Sequence, residues 1–424
     1  MIDFELSDAQ TRAREHARSF ATKHLATAHT LHENLPTPQA RFSAIRPLYE
    51  EAVKAGLIRA QVPREYNGLG YGLVDMALLT EELYTADVSV ALTILATGLG
   101  LPPLLIGVSD AQKKDYLSPF TDRKGVPLAS LVHSEPGGTA SYGTTGLKTT
   151  ARKVEDGGIF LEAFANTDEL LWATNGAGWD DRGADIQCIT CRCEDAPYAT
   201  ADAKGQTMFI LVTREDVAAN PPDAYTVLSH PETIGHRAVS GPHIRFRKFV
   251  AKEVIAMPSA GAEVIEAAFT ASAGLVGAMA VALMRRCFER TLRFAKSDTR
   301  NGTEPIISKQ SVADLLIKMK MRCEAGRALA WKACSSLGRV PEAAETAHLA
   351  KIFCSENAVQ CVIEGMNAVG VQAYQAKFQY GVLPNDAVCL PIFDGGNAGV
   401  RRRQVEAVFE STGYPLASTF GSKL

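Results

Sequence analysis

Near the C-terminus, the text LPIFDGGNAGVRRRQ puts one carboxylate, Asp394, behind the apolar run Leu390, Pro391, Ile392 and Phe393, with Arg401 downstream. Desolvation pushes such a carboxylate towards its neutral form, while a nearby arginine holds it ionised. An ionised carboxylate in apolar surroundings is the group that proton abstraction from carbon needs. The competing reading is structural: an aspartate before two glycines suits a turn, and Arg401 is one of three consecutive arginines. The choice depends on whether the rest of the chain builds a site that needs a base.

Three cysteines, Cys188, Cys191 and Cys193 in IQCITCRCE, raise the question of a metal. No second ligand pair accompanies them, so they read as strand cysteines and no metal is expected. The opening MIDFELSDAQ has neither a basic nor an apolar leader pattern, which predicts reduced thiols.

The 424 residues are 46 % hydrophobic and 21 % charged, with a net charge of −3. That balance suits a folded chain with a large core, and the spread of Lys and Arg predicts no nucleic-acid partner. Two charge-free stretches, Val88 to Ser109 and Ala267 to Met284, approach the length of a membrane span, about 20 residues. GLGLPPLL interrupts the first and Ala, Gly and Ser fill the second, so both are expected to be core helices, with no membrane partner.

The elements that must position these groups fall in the order helical, β, helical. Residues 1–118 read as helices, beginning with a capping box between Ser7 and Gln10. Residues 119–252 read as a β domain with strands in VPLASLVHS, TMFILVT and HIRFRKFV. Residues 253–424 return to a helical period, as at Val312, Leu315, Leu316, Met319 and Cys323, and predict a four-helix bundle. The fold class is therefore α+β. Gly68, Gly70 and Gly72 have the wrong spacing for a dinucleotide-binding turn, which leaves a Rossmann reading without support.

Several segments, in order and spacing, resemble the acyl-CoA dehydrogenase family. VPREYNGLGYG before TEELYTAD is similar to its turn and EEL helix; LVHSEPGGTA at 131–140 is similar to its flavin loop. TTARK, LWATNG, SDTRNGTEPIISKQ and FDGGN follow, so the resemblance spans essentially the whole chain. It implies FAD as cofactor, held by Leu131, His133, Ser134, Thr139, Trp172, Thr174, Arg300, Gln310, Gly370, Ile392, Phe393, Gly395, Gly396 and Asn397. Those types suit a flavin, whose ring needs polar groups along one edge and an aromatic wall, and whose pyrophosphate needs cations or donors. In the family Arg300 and Gln310 would serve a neighbouring subunit, which implies a homo-oligomer, a tetramer built as a dimer of dimers.

Family members commonly carry a glutamate base; here Asp394 takes that place. That change, with Arg401, FAKSDTR and SAGLVGAM, resembles the branch of the family that oxidises nitroalkanes. The resemblance implies Asp394 as base, Arg401 as its charge partner and Ser272 as a hydrogen-bonding neighbour, with Phe269 and Leu390 lining the substrate pocket. A small nitroalkane would lose its α-proton to Asp394, the carbanion would add to flavin N5, nitrite would leave, and dioxygen would reoxidise the flavin. The sequence departs from the pattern at Thr174, where a serine is expected, at Leu390, where a tyrosine is expected, and in AFANTDE before LWATNG. The alternatives are an acyl-CoA dehydrogenase or oxidase, and a flavoprotein scaffold without chemistry. Ser422, Lys423 and Leu424 read as a peroxisomal import signal, with the import receptor as a further partner.

Overall fold

The computed structural model describes residues 5–153, 159–163, 171–340 and 343–414, with the backbone alone at 159–163. The AFANTDE departure (residues 163–169), apart from the backbone of Ala163, and the final Ser-Lys-Leu lie outside the described residues.

The N-terminal part is helical: α1 (Asp8–Phe20), α2 (His29–His32), α3 (Pro38–Lys54), α4 (Leu73–Ala86), α5 (Val88–Gly100), α6 (Pro102–Gly107) and α7 (Asp110–Leu117). Ser7 starts α1 as expected: its Oγ accepts from Gln10 N, and the Gln10 side chain accepts from Ser7 N. The Asp87 carboxylate accepts from Ser89 N and Val90 N and so caps α5.

The α5 helix ends against the sheet. A Cβ on Gly100 would stand 2.6 Å from Ser130 N, so only glycine lets the helix rest on that backbone. The first charge-free stretch is thus two core helices, α5 and α6, parted where Pro102 opens the second.

Among the described residues, nine strands form one sheet: β1 (Ala129–Val132), then, after the short α8 (Tyr142–Thr145), β2 (Thr150–Lys153), β3 (Ile159–Ala163), β4 (Leu171–Trp172), β5 (Ile186–Cys193) and β6 (Thr207–Thr213). The short α9 (Arg214–Ala219) precedes β7 (Tyr225–Ser229), β8 (His243–Ala251) and β9 (Glu253–Ala256). The path runs β4-β8-β3-β2-β5-β6-β9. One edge of β5 is shared by two parallel partners, β1 from Ala129↔Ile186 and β2 from Thr150↔Arg192. The chain between them, which holds the SEPGGTA turn, must therefore leave the sheet as a loop. All three cysteines of β5 are buried, and Cys188 Sγ donates to Gly100 O at 3.2 Å.

The C-terminal part is built on three long helices, α10 (Ala260–Ser297), α11 (Gln310–Ser336) and α12 (Ala343–Val369), followed by the short α13 (Val382–Cys389) and α14 (Arg402–Phe409). The expected four-helix bundle thus has three long members among the described residues. Small residues line their seams: a Cβ on Gly365 of α12 would lie 2.5 Å from Cys287 Sγ of α10. The apolar stretch of α10 is buried there from Ala273 to Met284 apart from the half-buried Leu275, while Ala267 at its start is exposed.

Buried carboxylates on α4 tie this bundle to the N-terminal helices. Glu81 receives two bonds from Arg327 of α11, at 2.8 and 3.0 Å, and Glu82 receives Arg18 of α1 at 2.7 Å and Arg285 of α10 at 3.2 Å. Pulling these helices apart would leave buried charges uncompensated, so the network holds α1, α4, α10 and α11 together.

Candidate active site

Asp394 lies in the tight turn after α13. Phe393 N donates to Cys389 O at 3.1 Å and Asn397 N to Pro391 O at 2.8 Å, closing the turn on itself. Asp394 has φ +53° and Gly395 φ +69°. The left-handed conformation costs an L-residue about 1–2 kcal/mol, which the surroundings must offset.

Arg401 supplies much of that offset. The chain from Asn397 to Arg401 winds as a wide π-helical turn, which returns Arg401 to the start of the loop. Its Nε and Nη2 donate to the Asp394 carbonyl at 3.2 and 2.7 Å, and Nη2 also to Oδ2 at 3.1 Å. Ser272, from the middle of α10, places its Oγ 2.9 Å from each carboxylate oxygen. The side chains of Asp394 and Arg401 are only 6 % and 0 % exposed. The structure thus brings together Ser272, Asp394 and Arg401.

Phe269, one turn before Ser272, carries the Arg401 guanidinium 5.8 Å above its ring centroid. His133 meets the same phenylalanine edge-on at 5.5 Å, which joins the LVHS strand to the carboxylate. Its Nδ1 is 2.8 Å from Thr190 Oγ1, and burial brings the imidazole down to about 4. Burial also pulls the Arg401 guanidinium below its ordinary range, while Asp394 opposes that change.

Two buried residues of α12 brace the turn from behind. His348 Nδ1 is 3.1 Å from Arg401 Nη1; burial, helped by the arginine's charge, brings this imidazole to about 4, so Nδ1 accepts. Lys351 Nζ donates to Asn397 Oδ1 at 2.9 Å and to Gly395 O at 3.3 Å. Sequence reading missed both. The available signal was a polar stripe, His348, Lys351 and Ser355, at helical spacing among Ala and Cys.

A second group forms a ledge at the edge of the sheet. Trp172 N donates to Ser134 O at 3.0 Å, and Ser130 Oγ donates to Thr174 O at 2.7 Å. Leu171 and Ala173 point into the sheet core; strand alternation turns Trp172, 46 % exposed, and the half-buried Thr174 the other way. Ser134 is exposed, Leu131 and Thr139 are half-buried, and the loop between is anchored by Glu135, which accepts from Lys148 N and Thr149 N. The exposed indole and the Thr174 hydroxyl on the same face of the strand, which pairs with Ser134, are of the types that suit a flat ring system with one polar edge.

Arg300, Gln310 and Gly370 lie elsewhere. Arg300 Nη2 donates to Ala368 O and Val369 O at 2.6 and 2.9 Å, beside Gly370, while the exposed Gln310 opens α11 and donates to Asp314 at 2.7 Å. Among the described residues, no hydrogen bond or ring contact joins this group to the Trp172 ledge.

In the turn itself, Ile392 is exposed and the Phe393 ring meets His236 edge-on at 5.6 Å. Gly395 and Gly396 are half-buried. The Asn397 amide faces inward, donating to Ser355 Oγ at 3.0 Å and Glu356 at 3.2 Å. Leu390 is fully buried in the main core.

The model of the acyl-CoA dehydrogenase N-terminal domain matches residues 7–124, and that of the C-terminal domain matches residues 259–409. The chain belongs to the acyl-CoA dehydrogenase family. Within that family it is 43 % identical to the nitroalkane oxidase of Fusarium oxysporum, over 100 % of this chain and 98 % of the relative. A solved nitroalkane oxidase, an active-site Ser-to-Ala variant crystallised with 1-nitrohexane, matches with TM-score 0.94 and 42 % identity over 99 % of this chain and 100 % of that one. Another, with the same TM-score of 0.94, 42 % identity and the same coverage of 99 % and 100 %, comes from work on an aspartate and an arginine in the reaction of the flavoprotein nitroalkane oxidase. That pair is spaced in sequence as Asp394 and Arg401 are.

Proposed function

We propose that this protein is an FAD-dependent oxidase of neutral nitroalkanes, in which Asp394 takes the α-proton. The observation that carries the reading is the buried Asp394 carboxylate, held by Ser272 and Arg401 and joined through Phe269 and His133 to the strand that borders the Trp172 ledge. The full-length similarity to nitroalkane oxidases, one of them crystallised with 1-nitrohexane, supports the substrate class.

The chain's own groups divide the work as follows. Arg401 sets a buried positive charge against Asp394, and the Asp394 carboxylate takes the proton when the substrate arrives. Ser272 holds the carboxylate in one orientation, and Phe269 gives the alkyl part of the substrate an apolar surface. Trp172, Ser134, Thr174 and Thr139 would hold the flavin ring, and Arg300 and Gln310 its pyrophosphate. Bound FAD supplies the electron acceptor, and dioxygen restores it with formation of hydrogen peroxide. In total, a primary nitroalkane, dioxygen and water give an aldehyde, nitrite with its proton, and hydrogen peroxide; secondary nitroalkanes give ketones.

The active unit is a homo-oligomer, a tetramer built as a dimer of dimers. Support comes from the separation of Arg300 and Gln310 from the Trp172 ledge, which a partner subunit would bridge. Exposed apolar side chains at Leu349, Phe353, Ile363, Val371 and Tyr374 offer a surface for it. Ser422-Lys423-Leu424 would direct the protein to peroxisomes through the import receptor, a compartment suited to a peroxide producer.

The test is anaerobic mixing of the FAD-loaded protein with neutral nitroethane, following flavin bleaching and nitrite. Bleaching with stoichiometric nitrite is expected. Replacement Asp394→Asn lowers kcat/KM by at least about 10²–10⁴-fold with FAD retained. Bleaching by an acyl-CoA and none by nitroethane would overturn the reading in favour of an acyl-CoA dehydrogenase.

A further inference from the structure

The two carbonyl groups at the Asp394–Gly395 turn are held by buried cations. Arg401 takes the Asp394 carbonyl at 2.7 Å, and Lys351 takes that of Gly395 at 3.3 Å. Lys351 is 0 % exposed, and the contact it makes at 2.9 Å is with a neutral amide, Asn397 Oδ1. Fully buried lysines ordinarily have a carboxylate partner. The carboxylates whose charge reaches this one are Asp394, occupied by Ser272 and Arg401, and Glu356, which receives Arg402 at 2.7 Å and Asn397 at 3.2 Å.

Resting on the reading of Asp394 as the base, we propose that Lys351 is a positioning residue: through Gly395 and Asn397 it pins the left-handed Asp394 turn, and it sets a second buried positive charge behind the carboxylate. Burial brings the Lys351 ammonium down to about 8; Asp394 raises it and Arg401 lowers it. Such a lysine is a burden on the fold, since a buried charge is often replaced by an apolar side chain of similar size without loss of stability. Its placement makes sense if the benefit lies in the reaction. The groups that face the turn are Ser272 and Phe269 from α10, His348, Lys351 and Glu356 from α12, and Arg401, Arg402 and Gln404 from the helical segment beyond it. Of these only Arg401 and Lys351 are buried cations.

The experiment compares the FAD-loaded wild type with Lys351→Met and Lys351→Arg. It reads kcat/KM for neutral nitroethane against pH, the α-deuterium isotope effect, flavin content and the unfolding temperature. For Lys351→Met, kcat/KM is expected to fall about 10–100-fold, and the pH below which activity is lost to rise. Flavin content and unfolding temperature hold at pH 7, and Lys351→Arg restores the wild-type pH profile. A Lys351→Met enzyme with wild-type rate and pH profile overturns the proposal, as does one whose rate falls only with its stability while the profile stays in place. Should Lys351→Met not fold, Asn397→Asp gives the lysine a carboxylate partner; the same upward shift is expected, and an unmoved profile overturns the proposal. Wild type and Asp394→Asn run in the same assay: no nitrite from the former, or full activity of the latter, defeats the functional reading instead.

Discussion

Ser272 Oγ stands 2.9 Å from both oxygens of Asp394, across 122 positions of sequence, and 3.0 Å from the Phe269 carbonyl of its own helix. A hydroxyl has one proton, so it serves one of these three acceptors at a time. The equal distances mean that the hydroxyl can follow the charge from one carboxylate oxygen to the other without moving its heavy atom. That suits a base whose reactive oxygen must be free when it meets the α-carbon.

Replacement Ser272→Ala therefore removes a bond to a charged acceptor and leaves the Arg401 contact intact. Such bonds contribute about 1.5–3 kcal/mol, so kcat/KM for neutral nitroethane should fall about 10–100-fold at unchanged flavin content. The loss should remain smaller than that of Asp394→Asn in steady-state nitrite release at one pH. An Ser272→Ala enzyme with the wild-type kcat/KM would remove the hydroxyl from the site's function.

Burial moves His133 and His348 in the same direction, each to about 4. The unfolded chain holds each imidazole near about 6.5. Between those values the unfolded state binds more protons, so stability is complete above pH 6.5 and is lost as pH falls towards 4. Each histidine contributes at most about 3 kcal/mol to that slope. For His348 there is a local reason as well: protonated Nδ1 cannot accept from Arg401, 3.1 Å away. Replacement His348→Gln keeps an acceptor and removes the titration. Urea unfolding between pH 4 and 7 should then show a shallower acid decline than in the wild type; an identical decline would mean that His348 does not titrate with unfolding.

The parts legible in the sequence are those where short segments carry both an element and its chemistry. LVHSEPGGTA contains a strand, a tight turn and the carboxylate that anchors it; the Trp172 strand pairs back onto it through Ser134. Asp394 and Arg401 were legible as a pair because the apolar run and the arginine are local to the aspartate; Ser272, 122 positions away, was reached only through the family resemblance. The backing from α12 was not. His348 and Lys351 sit on a long helix, and the one local sign of their burial is the polar stripe they form with Ser355 among small residues, which does not say what they face. The inward turn of Asn397 was likewise hidden, since its partners Lys351 and Ser355 lie over 40 positions away. The left-handed φ of Asp394 has the same origin, because contacts from Arg401 and Lys351 fix it rather than the residue's own preference.

The seat of α5 on β1 gives a test of how the ledge is held. Gly100 ends the helix where an added Cβ would lie 2.6 Å from Ser130 N and 2.7 Å from the Ala129 carbonyl carbon. Both are backbone atoms and cannot swing aside, so Gly100→Ala must move the helix end or the strand. Overpacking of this kind costs about 1–3 kcal/mol. The strand it would displace carries Ser130, which holds the Thr174 carbonyl at 2.7 Å, and leads to Leu131, His133 and Ser134. Two losses should therefore appear together: a lower unfolding temperature of the apoprotein, and weaker FAD binding by fluorescence titration well below the unfolding transition. A variant that loses stability but binds FAD as the wild type does would show that the helix end yields and the strand stays, and that the ledge is held by the sheet alone.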